Sequence, residues 1–244
     1  MKKQKIIACI ACRLDSTRLF GKPLQLVNDK SILELQIKQL KKSVLIDEIV
    51  LAISQNSGNE IFINFAKKNK LKYLIGSNEN VLQRLIMAAK SCGGDIIFRT
   101  TSEDPFKHWK IIDDVLRDHI SKDADFTYPK NLPEGTGYEI MNIVPLEISE
   151  KKGNKHDKEH VTTYILRNDS KFKINIFTVQ KKFQHPEIRL TVDNPEDLIV
   201  VRKIAEQFPK NKLPDLELVI NIINKNKKFL KINKKFVNAN RKWL

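Results

Sequence analysis

Glycine is scarce in this 244-residue chain, at eight residues, and none of them builds a G-x-G-x-x-G or a G-x-x-x-x-G-K-[ST] pattern. The two commonest glycine-rich phosphate loops are therefore excluded. Cysteine is rarer still. Cys9, Cys12 and Cys92 give no even disulfide framework. Cys9 and Cys12 have redox-motif spacing but fall in an apolar run and not at a helix start, so neither redox nor metal chemistry is expected of them. A reducing, cytoplasmic setting fits this usage. No apolar run approaches the length of a membrane span, and a soluble protein without membrane partners is expected. The basic N-terminus precedes only a short apolar run with no small-residue cleavage site, which is not a signal-peptide pattern. Acid is also in deficit. The formal net charge is +15, and residues 225–244 hold eight Lys or Arg and no Asp or Glu. Such a balance favours anionic partners. Aromatics make up only 7 % of the chain, and neither an RNA-recognition nor a zinc-finger signature is present. Lys, Asn and Ile are abundant throughout, so the basic tail follows the general composition and nucleic acid is not the expected partner.

What the chain does have is a short apolar run, Ile6 to Ala11, that reads as a buried strand and empties into a polar loop. That loop packs Arg13, Ser16, Thr17, Arg18, Gly21 and Lys22 together. Cations, hydroxyls and a glycine after a first strand suit a polyphosphate, because charge is offset, donors are supplied and the backbone can approach closely. A helical pattern follows over 31–42, with Ser31 and Glu34 spaced as a capping box. Strands are expected at 48–54, 71–75 and 95–99, alternating with helices at 60–69, 79–91 and 108–120. This alternation predicts an α/β fold with a doubly wound, mostly parallel sheet, whose ligands sit beyond the carboxyl ends of the strands.

Later in the chain the alternation slackens. Strands are expected at 123–129, 138–144, 173–180 and 188–193. A short helix is expected at 145–150, a charged loop at 151–158 and a helix at 159–166. Helices at 195–207 and 216–226 close the sequence. With no repeat and no Gly/Ser linker, one domain over 1–244 is expected, with a small inserted lobe at about 130–182 that covers a second substrate or pairs with another subunit as a homodimer. The loop after the fourth strand carries two adjacent acids, Glu103 and Asp104, before Pro105. They suit Mg²⁺, which takes one or two carboxylates plus phosphate oxygens, and equally suit the capping of the next helix. Asp193 ends an apolar strand at the end of the sheet where a ligand crevice belongs.

The order of these motifs carries a resemblance. The set Ala11, Arg13, Ser16, Arg18, Gly21, Lys22, Pro23 and Leu24 resembles the N-terminal signature of cytidylyltransferases that activate acidic sugars, the 3-deoxy-manno-octulosonate and acylneuraminate enzymes. The whole chain is closer to the spore-coat polysaccharide cytidylyltransferase-like branch. Residues 80–84, 99–105, 133–139, 159–165 and 189–198 fall in matching order and extend the resemblance over about 5–235. It implies a nucleotide-diphospho-sugar transferase (glycosyltransferase-A-like) fold, with CTP and Mg²⁺ bound and pyrophosphate released as an anionic acceptor (a sugar acid, sugar phosphate or phosphonate) attacks the α-phosphorus.

By the same resemblance, Arg13 and Lys22 hold the triphosphate, with Ala11, Ser16, Arg18 and Gly21 completing the loop. Asp193 joins Glu103 or Asp104 at the metal, and Ser77 and Arg84 serve the cytosine. An exposed helix face is an equally good place for Arg84. The acceptor side falls to Glu134, Glu139, Glu159 and His160. Two departures stand out. Glu103 occupies a position where relatives carry Asp, and Phe20 stands where they carry Pro, which should reshape the turn before Gly21. Two other readings remain in view. One is a nucleotide-sugar glycosyltransferase using Asp123-x-Asp125 as its metal motif, and the other is a non-catalytic protein that binds nucleotide or polyanion through the basic tail.

Overall fold

The computed structural model describes residues 3–56, 58–209 and 212–237. The start of the chain and the outer part of the basic tail, with Arg241, Lys242 and Trp243, lie outside the described residues. The run read as the first strand is β1 (Ile6–Cys12), with β2 (Leu26–Val27) and β3 (Lys30–Ser31) forming a small hairpin after its loop. There follow α1 (Ile32–Leu40), β4 (Glu48–Ser54), α2 (Glu60–Lys68), β5 (Lys72–Gly76), α3 (Val81–Lys90), β6 (Ile96–Thr101) and α4 (Ile112–Ser121). The second half adds β7 (Phe126–Lys130), β8 (Glu139–Asn142), α5 (Ile143–Lys152), α6 (Lys155–His160), α7 (Thr163–Arg167), β9 (Ile174–Thr178), α8 (Pro195–Ala205) and α9 (Leu216–Lys225).

β1 is an interior strand, third of seven, in a sheet of order β5-β4-β1-β6-β8-β7-β9. Every pairing is parallel except the two made by β8, which runs against both β6 and β7. Successive side chains of a strand point to opposite faces, and β1 obeys this: Ile6, Ala8 and Ile10 pack under α1, α2 and α4, while Ile7 and Cys9 pack under α3, α5 and α7. Both faces are covered, which is why the strand reads as continuously apolar. The fold is thus doubly wound and mostly parallel, as the alternation predicts. Stretch 130–182 contributes β8 and β9 to this same sheet. Among the described residues no helix is long and apolar enough to cross a membrane.

The capping box of α1 forms as expected, with the Ser31 hydroxyl accepting from the Glu34 N–H and the Glu34 carboxylate accepting from the Ser31 N–H. Three expectations need correction. The strand expected at 188–193 is an extended segment outside the sheet, paired through an isolated parallel bridge at Arg189 with Glu134 on the loop between β7 and β8. Its alternation is real, because Ile188, Leu190 and Val192 enter a separate core with α8 and α9. Its backbone, however, bonds loops: the Leu190 N–H donates to the Glu134 carbonyl and the Val192 N–H to that of Glu103. The helix expected at 159–166 breaks at Val161, whose φ is 65°. The loop expected at 151–158 is instead the end of α5 and most of α6, started by a second capping box between Asn154 and Asp157.

Candidate active site

The carboxyl ends of β1 and β6 lie side by side, since these strands pair from Ile6↔Ile96 to Ala11↔Thr101. The loop leaving β1 is held at its base by Asn59, which accepts from the Leu14 N–H and donates to the Ser54 hydroxyl at the end of β4. The loop closes on itself through the Gly21 N–H, which donates to the Leu14 carbonyl. Gly21 adopts φ 61°, a left-handed conformation that costs glycine little. It turns the chain into a short 3₁₀ turn over Lys22–Leu24 and swings Lys22 inward, while Phe20 stays 64 % exposed on the rim. Ser16 accepts from the Leu19 N–H inside the loop, and Ala11 is half-buried at its root. Arg13 is exposed and makes no ion pair among the described residues.

Lys22 reaches Asp193, Nζ to Oδ1 at 2.6 Å, and Arg18 Nη2 lies 3.3 Å from the same oxygen. The other oxygen, Oδ2, accepts from Arg189 Nη2 at 2.9 Å. Burial pushes the Asp193 carboxyl up, but the hydrogen bond and charge of Lys22, then Arg18 and Arg189, outweigh it and hold the group below the ordinary carboxylate range. Arg189 is 1 % exposed and also engages Glu134 and both oxygens of Asp197. Asp197 in turn accepts from the Asp193 and Asn194 N–H groups and from Asn233 of the C-terminal tail. No buried side-chain nitrogen or oxygen of Arg189, Asp193 or Asp197 is left without a partner, which is what makes a buried ionic cluster tolerable.

The adjacent acids after β6 separate into different environments. Asp104 is buried and tied to Thr101 and to Lys107, whose Nζ lies 2.7 Å from Asp104 Oδ2 and 2.7 Å from the Gly137 carbonyl. Glu103 makes no ion pair among the described residues. Burial first, then the charges of Asp104 and Asp193, push its carboxyl up to about 7, against the opposing pull of Lys22 and Lys107. Among the described residues no three acids, His or Cys are grouped to hold a metal ion by themselves.

Beside these acids opens a cavity of about 650 Å³, walled by Arg99, Lys107, Lys130, Glu134 and Glu139 among others. Glu139 begins β8 opposite Arg99 in register, pairs with it, and accepts from the Thr162 hydroxyl. Glu134 stands on a loop pressed against the 188–193 segment. At Gly135, where φ is 88°, a Cβ would lie 2.4 Å from the Thr191 nitrogen, so only glycine lets the loop seat. Glu159 and His160 are not brought to this cavity wall. Glu159 is exposed on α6, and His160 packs its ring on that of His156. The His160 imidazole is shifted down by burial, then by His156 and Arg99, against the pull of Glu159.

Arg84 corrects the exposed-face reading: it is 2 % exposed and donates to the Ser77 carbonyl, fastening the turn between β5 and α3. Burial, with Arg13 nearby, lowers its guanidinium to about 10 against the opposing charge of Cys12. The Ser77 hydroxyl accepts from the Asn80 N–H at the start of α3. Cys9 and Cys12 are buried free thiols shifted upward by burial, Cys12 to about 12. Asp123 and Asp125 lie before β7, at the amino ends of the strands and away from the cavity, where both engage Lys173. That removes the alternative metal motif. Arg189 and Lys107 are the residues that sequence reasoning did not single out. A lone Arg in an apolar run, with acids four and eight residues on, was the available signal for the first. Lys107 left none.

Comparison with known proteins places the chain in a family and a fold. Residues 7–236 match the sequence profile of the family described as Cytidylyltransferase. An uncharacterized protein of Methanocaldococcus jannaschii is 29 % identical over 230 residues, 94 % of each chain. The spore coat polysaccharide biosynthesis protein SpsF of Bacillus subtilis is 26 % identical over 227 residues, 91 % of this chain and 95 % of that one. Among solved structures, a cytidylyltransferase from Leptospira borgpetersenii superposes with TM-score 0.84 at 26 % identity, covering 93 % of this chain and 96 % of its own. CMP:2-keto-3-deoxy-manno-octonic acid synthetase, solved with CTP, shares the fold at TM-score 0.64 and 15 % identity, over 84 % of this chain and 99 % of its own.

Proposed function

The chain belongs to the cytidylyltransferase family, and from that premise we propose that it transfers the cytidylyl group of CTP to a small anionic acceptor, releasing pyrophosphate. The observation that carries the reading is the meeting of the β1 loop with Asp193: two loop cations converge on one buried carboxylate beside a second acid, Glu103. Arg13 and Lys22 bind the triphosphate, with Ser16, Arg18 and the loop N–H groups adding donors. Ser77 and Arg84 form the turn that receives the base. An acceptor oxygen forms its bond to the α-phosphorus as the bond to the pyrophosphate oxygen breaks. Both partners are negative, so the chain's contribution is alignment and charge neutralisation.

The donor chemistry fits Mg²⁺. Glu103 is a hard-oxygen donor with a raised pKa and no ion pair among the described residues, next to Asp193, whereas Asp104 is committed to Lys107. Glu103 and Asp193 would hold the ion, which when bound supplies charge neutralisation at the phosphate oxygens. The acceptor lies in the 650 Å³ cavity, where Arg99 and Lys130 attract an anion while Glu134 and Glu139 orient hydroxyl groups. The naming of SpsF for spore coat polysaccharide biosynthesis supports a sugar acid, sugar phosphate or related phosphonate destined for a surface polysaccharide.

The test is pyrophosphate release and thermal shift with each of the four nucleoside triphosphates and Mg²⁺, with and without a panel of acidic acceptors. A CTP-selective upward shift is expected, because a ligand that binds only the folded chain stabilises it. Folded protein that shifts with none of the four would overturn the assignment.

A further inference from the structure

Asp193 is surrounded by more positive charge than it needs. Lys22, Arg18 and Arg189 all engage its two oxygens, at 2.6, 3.3 and 2.9 Å, and its side chain is only 9 % exposed. Arg189 is committed elsewhere as well, to Glu134 and Asp197. Lys22 and Arg18 differ in kind. Each makes no other ion pair among the described residues, and both ride on the β1 loop, with the Arg18 side chain 52 % exposed. They are the cations tied to a single carboxylate among the described residues.

From this we infer that Lys22 and Arg18 are internal counter-ions that withhold Asp193 from a divalent cation until a nucleoside triphosphate draws them off. The inference rests on the triphosphate reading of the loop. A hard cation needs carboxylate lone pairs free of other donors, and with both side chains in place it would also face two positive charges across a weakly screened gap. A triphosphate offers Lys22 and Arg18 new anionic partners, and their departure leaves Asp193 facing Glu103 with charge to be balanced. The consequence is an order. The chain takes up divalent metal poorly before nucleotide, and nucleotide and metal raise each other's affinity by the same factor, as linkage requires. Lys22 thereby acts in two places, as the lock on Asp193 and as the ligand of the phosphates.

Mn²⁺, a hard divalent ion visible by electron paramagnetic resonance, is the probe, titrated into nucleotide-free wild type, Lys22→Met, Arg18→Gln, and Lys22→Met combined with Asp193→Asn. Folding of each is checked by circular dichroism. Wild type should bind Mn²⁺ weakly. Lys22→Met should bind it at least about tenfold more tightly, the effect of losing one desolvated competing charge. Arg18→Gln, which loses a half-exposed charge, should gain about two- to threefold. The double variant should lose the gain, placing it at Asp193. Wild type that binds Mn²⁺ as tightly as Lys22→Met, or a folded Lys22→Met without gain, overturns the inference. If Lys22→Met does not fold, Arg18→Gln decides it in the same way. A separate arm measures the CTP-induced thermal shift of wild type with Mg²⁺ present. No shift there counts against the nucleotide assignment, whereas the nucleotide-free Mn²⁺ comparison bears on the counter-ion role alone.

Discussion

Replacing Arg189 with Met tests the central claim about what organises the site. The guanidinium is 1 % exposed and contacts three carboxylates on three segments: Glu134 of the cavity loop, Asp193, and Asp197 of α8. Met preserves most of the volume and deletes the charge. Breaking a buried ion pair from one side costs about 3–5 kcal/mol. The lower end applies here, because Asp193 keeps Lys22 and Arg18, and Asp197 keeps Asn233 and its backbone donors. A loss of about 3 kcal/mol in a chain of this size lowers Tm by roughly 6–12 °C. Thermal unfolding by circular dichroism at pH 7 measures it, and hydrogen exchange should show faster turnover at the Glu134 and Leu190 amides that stitch the cavity loop to the 188–193 segment. In a double-mutant cycle with Glu134→Gln the two losses should not add, since they share one contact. A Tm fall of less than about 2 °C, with additive effects, would refute the view that Arg189 couples the cavity loop to Asp193.

Other outcomes follow from single residues. His108 is buried with neither ring nitrogen hydrogen-bonded among the described residues, and burial lowers its imidazole to about 4. With the folded value below the unfolded one near 6.5, the native chain binds fewer protons, so stability falls as pH drops from about 6.5 to 4, by on the order of 3 kcal/mol. His108→Phe, which keeps the ring packing on Phe183, should lose that share of the pH dependence in urea titrations. Gly135→Ala should destabilise by at least about 2 kcal/mol in the same assay, through a clash with backbone at a positive φ. Lys22→Ala should reduce pyrophosphate release by more than about a hundredfold, and Asp193→Asn should be partly restored by raised Mg²⁺.

How much of this was legible depended on the range of the interaction. The β1 run, the capping box at Ser31 and Glu34, and the strand–helix alternation are local patterns, and they were readable because period and capping act within a few residues. The loop at 13–22 was readable as a candidate phosphate site from residue type alone. Where local pattern misled, a partner was missing from view. Segment 188–193 has a strand's alternation but no neighbouring strand, so its backbone bonds two loops. Stretch 151–158 looked like charged loop because a capping box two residues after α5 weighs little against a run of Lys.

The amino-acid sequence by itself determined a doubly wound sheet, a basic loop at the carboxyl end of its first strand, and a set of acids suited to phosphate and metal chemistry. Tertiary structure alone separated the surroundings of these acids. Glu103 and Asp104 are neighbours of the same charge, yet Lys107 is folded back onto one and leaves the other facing Asp193. It alone buried Arg84, drew Glu159 away from the cavity, and set Lys22 against a carboxylate that lies 171 positions along the chain. The physical reason is common to all of these. A side chain's charge state and role depend on which groups lie within a few ångströms and how much water is left between them, and only the packed chain fixes both.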